Sequence, residues 1–250
     1  PVYLGAIVIF LFILSFFVLN RQLQWWLLPV ILLTLFLSWG KNLMWLTDFF
    51  IDYVPMYNKF LTVSIMLVAT GFGITLLAIL ALKEVLTGEN KSKYVRPVMI
   101  SAAITAGIAL VFALIPSLAG SFESPADAQF SGDYAFLKET LPLDRKAMLQ
   151  ADAWRSVGYV IAAALLLFIY LKGKLKVNVA IVLFGVLFLA DLAPVAKRYL
   201  NDDSFARKRK MENLIQPTAA DQMILADKSQ YRVLDATVNI FNDSKPSYFH

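Results

Sequence analysis

Apolar residues in this chain come in blocks rather than at the spacing of a half-buried helix. YLGAIVIFLFILSFFVL stands near the start, and comparable runs recur until about residue 195. A run of about 20 apolar residues matches the hydrocarbon thickness of a bilayer. In that solvent each peptide group must be satisfied within the segment, and for apolar runs of this length the helix does so. The pattern predicts six spans: Tyr3–Leu19, Trp25–Trp39, Leu61–Leu82, Val95–Ala119, Trp154–Leu171 and Val177–Val195. The second is short, and its flanking tryptophans suit the membrane interface. Pro29 falls in its first turns, where a missing N–H disturbs a helix least.

The polar connections differ in charge. Arg21 lies in the first, Lys83, Lys91, Lys93 and Arg96 around the third, and Lys172, Lys174 and Lys176 in the fifth. Positive connections stay on the cytoplasmic side. The loops 40–60 and 120–153 and everything after the last span then face outward. Lys197, Arg198 and the run RKRK (207–210) are a basic signal of the opposite sense, outvoted by the agreement of the short loops. Residues 1–198 read as a transmembrane helical domain and 199–250 as the start of an extracytoplasmic soluble domain. In the latter, Thr218 followed by Asp221 has the form of a helix N-cap, and YRVLDATVNIF (231–241) alternates like a strand. A strand needs partners, so the chain reads as a piece of a longer polypeptide. The fold class expected is an all-α polytopic membrane bundle of about six spans followed by the start of a soluble α+β region.

Composition sharpens this picture. The chain is 59% hydrophobic and 16% charged, against about 25% charged residues in soluble domains. Its net charge of +5 points to phospholipid headgroups rather than nucleic acid, because the cations flank spans. There is no cysteine, and the one histidine is His250. Disulfides, metal sites built on histidine and cysteine, and a Ser-His-Asp arrangement within this stretch are thereby excluded. TGFGIT (70–75) is no nucleotide loop: a third glycine is missing, and the stretch lies inside a span. It reads as close helix packing, with Gly71 and Thr75 four apart, and Ala102, Ala103, Ala106 and Gly107 read the same way.

Four groups of polar residues call for chemistry. Asp191, near the outer end of the last span, is an ionisable residue in an apolar run and so a candidate for function. It can line an outward cavity and bind a hydroxyl, an amine or a cation. The plainer reading pairs it with Lys197 or Arg198. Asp48 and Asp52 are four apart and share a helix face, with Leu46, Phe49, Phe50 and Tyr53 opposite. That is an interfacial helix ended by Pro55. Its carboxylates are either solvated or a general base or divalent-cation site, and Asn58 with Lys59 can meet a phosphate. Arg155 ends an amphipathic lead-in, DRKAMLQADAWRSVGYV (144–160), with Arg145 and Lys146 before it. Its planar fork suits a lipid phosphate; headgroup snorkelling explains the same residues. RKRK reads as a solvated stripe.

YVPMYNKFLTVSIMLV, DAWRSVGYVIAA, DLAPVAKRYLN, PTAADQMILADKSQYRVLDATVN and NDSKPSYFH follow one another in the order and spacing of the bacterial YfhO-like membrane proteins. The resemblance runs from about Trp39 to the end and corresponds to a middle-to-C-terminal portion of those proteins. Where members often carry Arg-Pro after NKF, this chain has Leu61 and Thr62. The resemblance implies a GT-C-type glycosyltransferase of the bacterial cytoplasmic membrane. Such an enzyme moves sugar from a polyprenyl-phosphate donor to a cell-envelope polymer on the outer face. It also implies that the main catalytic carboxylate belongs to an earlier outward loop, upstream of Pro1, so no catalytic role passes to Asp48 and Asp52, which stay local candidates, as does Asp191. This stretch would supply a prenyl groove and cationic groups, from Lys59, Arg155 and Arg198. Two other classes compete: a lipid or solute transporter or flippase using Asp191, and a membrane-anchored envelope scaffold.

Overall fold

The computed structural model describes residues 3–59, 62–205, 216–229 and 233. Among these residues the regular structure is helical and no strand occurs. The predicted strand 231–241 lies almost wholly outside them. The chain divides into two units, Pro1–Ala196 and Lys197–His250.

The helices are α1 (Ala6–Val18), α2 (Arg21–Ser38), α3 (Met44–Tyr53), α4 (Met66–Thr87), α5 (Ser92–Leu114), α6 (Leu137–Leu171), α7 (Val177–Tyr199) and α8 (Ala219–Ala226). Five of them, α2 and α4 to α7, are long and apolar enough to cross a membrane. The chain is a multi-pass membrane protein, but not with six equivalent spans. The first predicted span folds as a helix of 13 residues, roughly 20 Å long against a hydrocarbon core of about 30 Å. Gly5, at φ 96°, stops it at one end, and Leu19 leaves the helix in extended conformation at the other. Composition does not reveal this, because the block 3–19 is apolar throughout.

α1 is the centre of the first unit. Ile7, Phe10, Leu11 and Leu14 are fully buried at the i, i+3, i+4, i+7 spacing of one face. They join a core with Leu167 and Tyr170 of α6, Val98 of α5 and Val85 of α4. Between helices in lipid, such a core is held by packing contacts rather than by release of water. Asn20 caps α2 by accepting from Gln22 N at 3.0 Å. Gln24 turns back, its Nε2 donating to the carbonyls of Ser15 at 2.9 Å and Leu19 at 3.3 Å. One last-turn carbonyl of α1, and that of Leu19 just after it, thus receive a donor from α2.

α2 and α4 run antiparallel, with Thr34 Oγ1 2.8 Å from Thr70 Oγ1. A Cβ on Gly73 would lie 2.6 Å from Ile31 Cγ1, and one on Gly71 would lie 3.1 Å from Leu4 Cδ2. TGFGIT is therefore a packing motif as expected, with Gly73 rather than Thr75 as the second close approach. In α5, Ala102 and Ala106 pack against the core, whereas a Cβ on Gly107 would touch nothing within 4 Å, so that glycine makes no close approach. α5 ends at Leu114 because Ile115 precedes Pro116 and leaves the helical region (φ −126°, ψ 67°).

The three basic connections sit at one end of the bundle. The Thr34–Thr70 pairing brings Arg21 level with the C-terminal end of α4. There Tyr170 Oη of α6 donates to Leu86 O, Lys91 Nζ lies 4.1 Å above the Tyr170 ring, and Tyr94 Oη donates to Glu84 Oε1 at 2.7 Å. α6, at 35 residues, is roughly 52 Å long. It outruns the membrane, and its amphipathic first half stands beyond the end opposite the basic connections.

Candidate functional site

Asp191 is fully buried, at a position where a lone carboxylate would be costly. Its Oδ2 accepts from the backbone N–H of Ala6 at 2.8 Å and of Ile7 at 3.4 Å, and its Oδ1 accepts from Tyr3 Oη at 2.7 Å. Asp191 thus supplies the N-cap of α1 from 185 positions away. The carboxylate meets two orphan N–H groups and the positive end of a helix dipole. Gly5 makes room for it: a Cβ there would lie 3.0 Å from Asp191 Oδ2 and 3.1 Å from Leu192 Cδ2. The positive φ of Gly5 also favours glycine. The hydrogen bonds to its two oxygens come from the start of α1.

Tyr3 carries the network onward. Arg155 Nη2 of α6 donates to Tyr3 Oη at 3.1 Å, and the guanidinium carbon is 5.4 Å from the centre of the tyrosine ring. Arg155 Nη2 also lies 4.0 Å from Asp152 Oδ1, one turn earlier. Arg155 Nε is buried without a hydrogen-bond partner. Counted along their helices, Arg155 and Asp191 both lie roughly 20–25 Å from the basic end of the bundle, which is the opposite edge of a bilayer core. Tyr3 also forms one end of a cleft of about 350 Å³ that descends between α1, α5 and α6. Ile9, Ile13, Ile108 and Val160 make its walls apolar, and Ser156 adds a hydroxyl beside Arg155.

Arg145, Asp48 and Asp52 stand apart from this cluster. Arg145 Nη1 and Nη2 donate to Asp127 at 2.6 and 2.7 Å, and Nη1 also donates to Phe122 O at 2.8 Å. This arginine fastens the loop 115–136 to α6 and is not offered to a phosphate. Hydrogen bonding from Arg145, above all, holds the Asp127 carboxyl down at about 2, and Ser124 N–H adds to it. Asp48 and Asp52 do share a face of α3, and both are exposed. The opposite side is an aromatic cluster: Phe49 lies 5.2 Å from Tyr53, and Phe50 5.4 Å from Tyr57 between ring centres. Among the described residues no group of three or more His, Cys, Asp and Glu is placed to hold a metal ion. Lys59 is exposed in the short turn Tyr57–Lys59 that also contains Asn58. Arg198 lies in the last turn of α7, where a cation complements the helix dipole, and belongs to the second unit. RKRK lies outside the described residues. In the second unit, Thr218 and Asp221 form the capping box that starts α8, as their spacing predicts.

Sequence reasoning missed Tyr3 and Gly5. The one signal for them was a glycine directly before a continuous apolar run, and nothing local ties that glycine to Asp191. No protein-family model, no curated protein and no solved structure matches this chain.

Proposed function

We propose that this chain is the middle-to-C-terminal membrane part of a GT-C-type glycosyltransferase of the bacterial cytoplasmic membrane. It acts on the outer face, on a polyprenyl-phosphate sugar, and passes the sugar to an envelope polymer. The motif order shared with the YfhO-like proteins supports the class of reaction. The observation that carries the reading is the arrangement at Arg155. A guanidinium with a buried, unpartnered Nε stands where Tyr3 closes one end of an apolar cleft. Such a pairing of cation and slot fits a phosphate joined to a long hydrocarbon. Arg155 takes the phosphate, Tyr3 and Asp191 hold Arg155 in place, and the cleft takes the first isoprene units.

In the transfer the acceptor oxygen bonds to the anomeric carbon and the bond from that carbon to the phosphate oxygen breaks. The polyprenyl phosphate leaves with the electron pair, and a base takes the acceptor's proton. Arg155 offsets charge that grows on the leaving phosphate. The base belongs to the part of the enzyme that the family places before this stretch. Loops 40–60 and 120–153 and the tail after residue 198 lie on the outer side. Asp191 speaks against a transporter, because a carboxylate that caps a helix and holds a tyrosine is not free to load and release a proton or ion.

Full-length protein in proteoliposomes with a labelled polyprenyl-phosphate sugar tests the reading. Transfer or hydrolysis is expected, with KM for the lipid raised about 10- to 100-fold in Arg155→Ala, the loss of a charge-assisted hydrogen bond. Lipid movement without cleavage would make the protein a flippase, and inertness would leave a scaffold.

A further inference from the structure

A second cleft, also of about 350 Å³, lies between α5 and α6 and is distinct from the one that ends at Tyr3. Met99, Ala103 and Ala106 line it from α5, and Ile161, Leu165 and Phe168 from α6. Alanines opposite large side chains leave the gap, and Met99, Ile161 and Leu165 are about half exposed, so the slot opens outward to the bilayer. It runs roughly 10 Å along both helices, and none of its lining residues is charged. Two cations flank the end nearer Met99 and Phe168. Lys172 Nζ is 5.3 Å from the centre of the Phe168 ring. Arg96, exposed, precedes Met99 by one turn and shares its face of α5. This is the basic end of the bundle, so the slot begins within about one turn of a bilayer surface.

We propose that this groove binds one anionic phospholipid, with an acyl chain along the alanines and the phosphate headgroup between Arg96 and Lys172. The charge arrangement selects the occupant: cations at the mouth and hydrocarbon below match a lipid end to end. A transmembrane helix fits less well, because it brings no phosphate to the two cations at the mouth. The site is independent of the transferase reading and requires only that α5 and α6 cross a bilayer.

Native mass spectrometry of the full chain, delipidated in detergent, tests this with phosphatidylglycerol and phosphatidylcholine of identical acyl chains. Wild type retains phosphatidylglycerol about tenfold more strongly, the discrimination two juxtamembrane cations provide. The double variant Arg96→Gln, Lys172→Gln loses that preference while still holding phosphatidylcholine. Lys174→Gln with Lys176→Gln, an equal charge change in the turn beyond, keeps it. Ala103→Trp fills the slot and lowers retention of both lipids. Equal retention of the two lipids by wild type overturns the proposal, as does a preference that survives the loss of Arg96 and Lys172. A photo-crosslinker at position 103 that yields a protein dimer rather than a lipid adduct would assign the groove to a helix instead. The charge variants keep the test decisive if Ala103→Trp does not fold.

Discussion

Asp191 shows how one side chain can hold a membrane fold together. Its two oxygens serve three donors, two on the backbone of α1 and one on Tyr3. Asp191→Ala removes the cap of a buried helix and orphans the tyrosine hydroxyl. The expected cost is about 2–4 kcal/mol, combining a lost N-cap with a tyrosine hydroxyl left without its acceptor. Asp191→Asn keeps an acceptor for Ala6 N–H and a group for Tyr3, and retains most of that stability. Thermal unfolding in detergent, followed by tryptophan emission, measures both. A fully exposed carboxylate, as a solvated helix end would have, predicts no change for either variant, so an unperturbed Asp191→Ala would remove the capping role.

Among the elements, α6 does two jobs along its length. Its last half packs against α1 and α5, and its first half carries the arginine that fastens the loop 115–136. The Arg145–Asp127 contact has a defined acid limit. Asp127 sits at about 2 in the folded protein against 3.8 unperturbed. A carboxyl lowered on folding adds stability above its unfolded value and loses it as pH falls through the folded one. The loop 115–136 is therefore expected to stay closed at neutral pH and to loosen between about pH 4 and pH 2. Asp127→Asn should loosen it at pH 7 as well. Hydrogen exchange of residues 122–136 reports both effects. Equal protection in wild type and Asp127→Asn would show that other contacts close the loop. α3 is a plainer element: its aromatics pack on one another, and its two carboxylates are exposed.

For the whole molecule the central prediction concerns sidedness. Arg21, the cluster around Lys91 and the turn after α6 lie at one end of the bundle, whereas Asp191, Tyr3 and Arg155 lie toward the other. Because the chain has no cysteine, single cysteines can be introduced at Lys91 and Asp133 and treated in intact cells with an impermeant maleimide. The expected result is labelling at 133 and protection at 91. The reverse pattern would turn the Arg155 cleft toward the cytoplasm and remove the extracytoplasmic transferase as its use.

Much of the architecture was legible along the chain. Hydrophobic blocks located α2, α4, α5 and α7 within about five residues and the end but not the start of α6, which begins at Leu137 rather than Trp154, since a bilayer demands length and apolarity of each span separately. The charge of the connections grouped their ends, the capping box announced α8, and the spacing of Asp48 and Asp52 placed them on one face of α3. These are local properties, readable one segment at a time. The site was not of that kind. Asp191 and Ala6 stand 185 positions apart, and Arg155 and Tyr3 152 apart, so no window of sequence contains either pair. The same holds for the short α1, whose apolar block looked like a span until Gly5 and a carboxylate from α7 closed its start. Solvent preference decided which segments enter the membrane, whereas satisfaction of buried polar groups, possible only once the helices meet, decided which residues gather at Arg155.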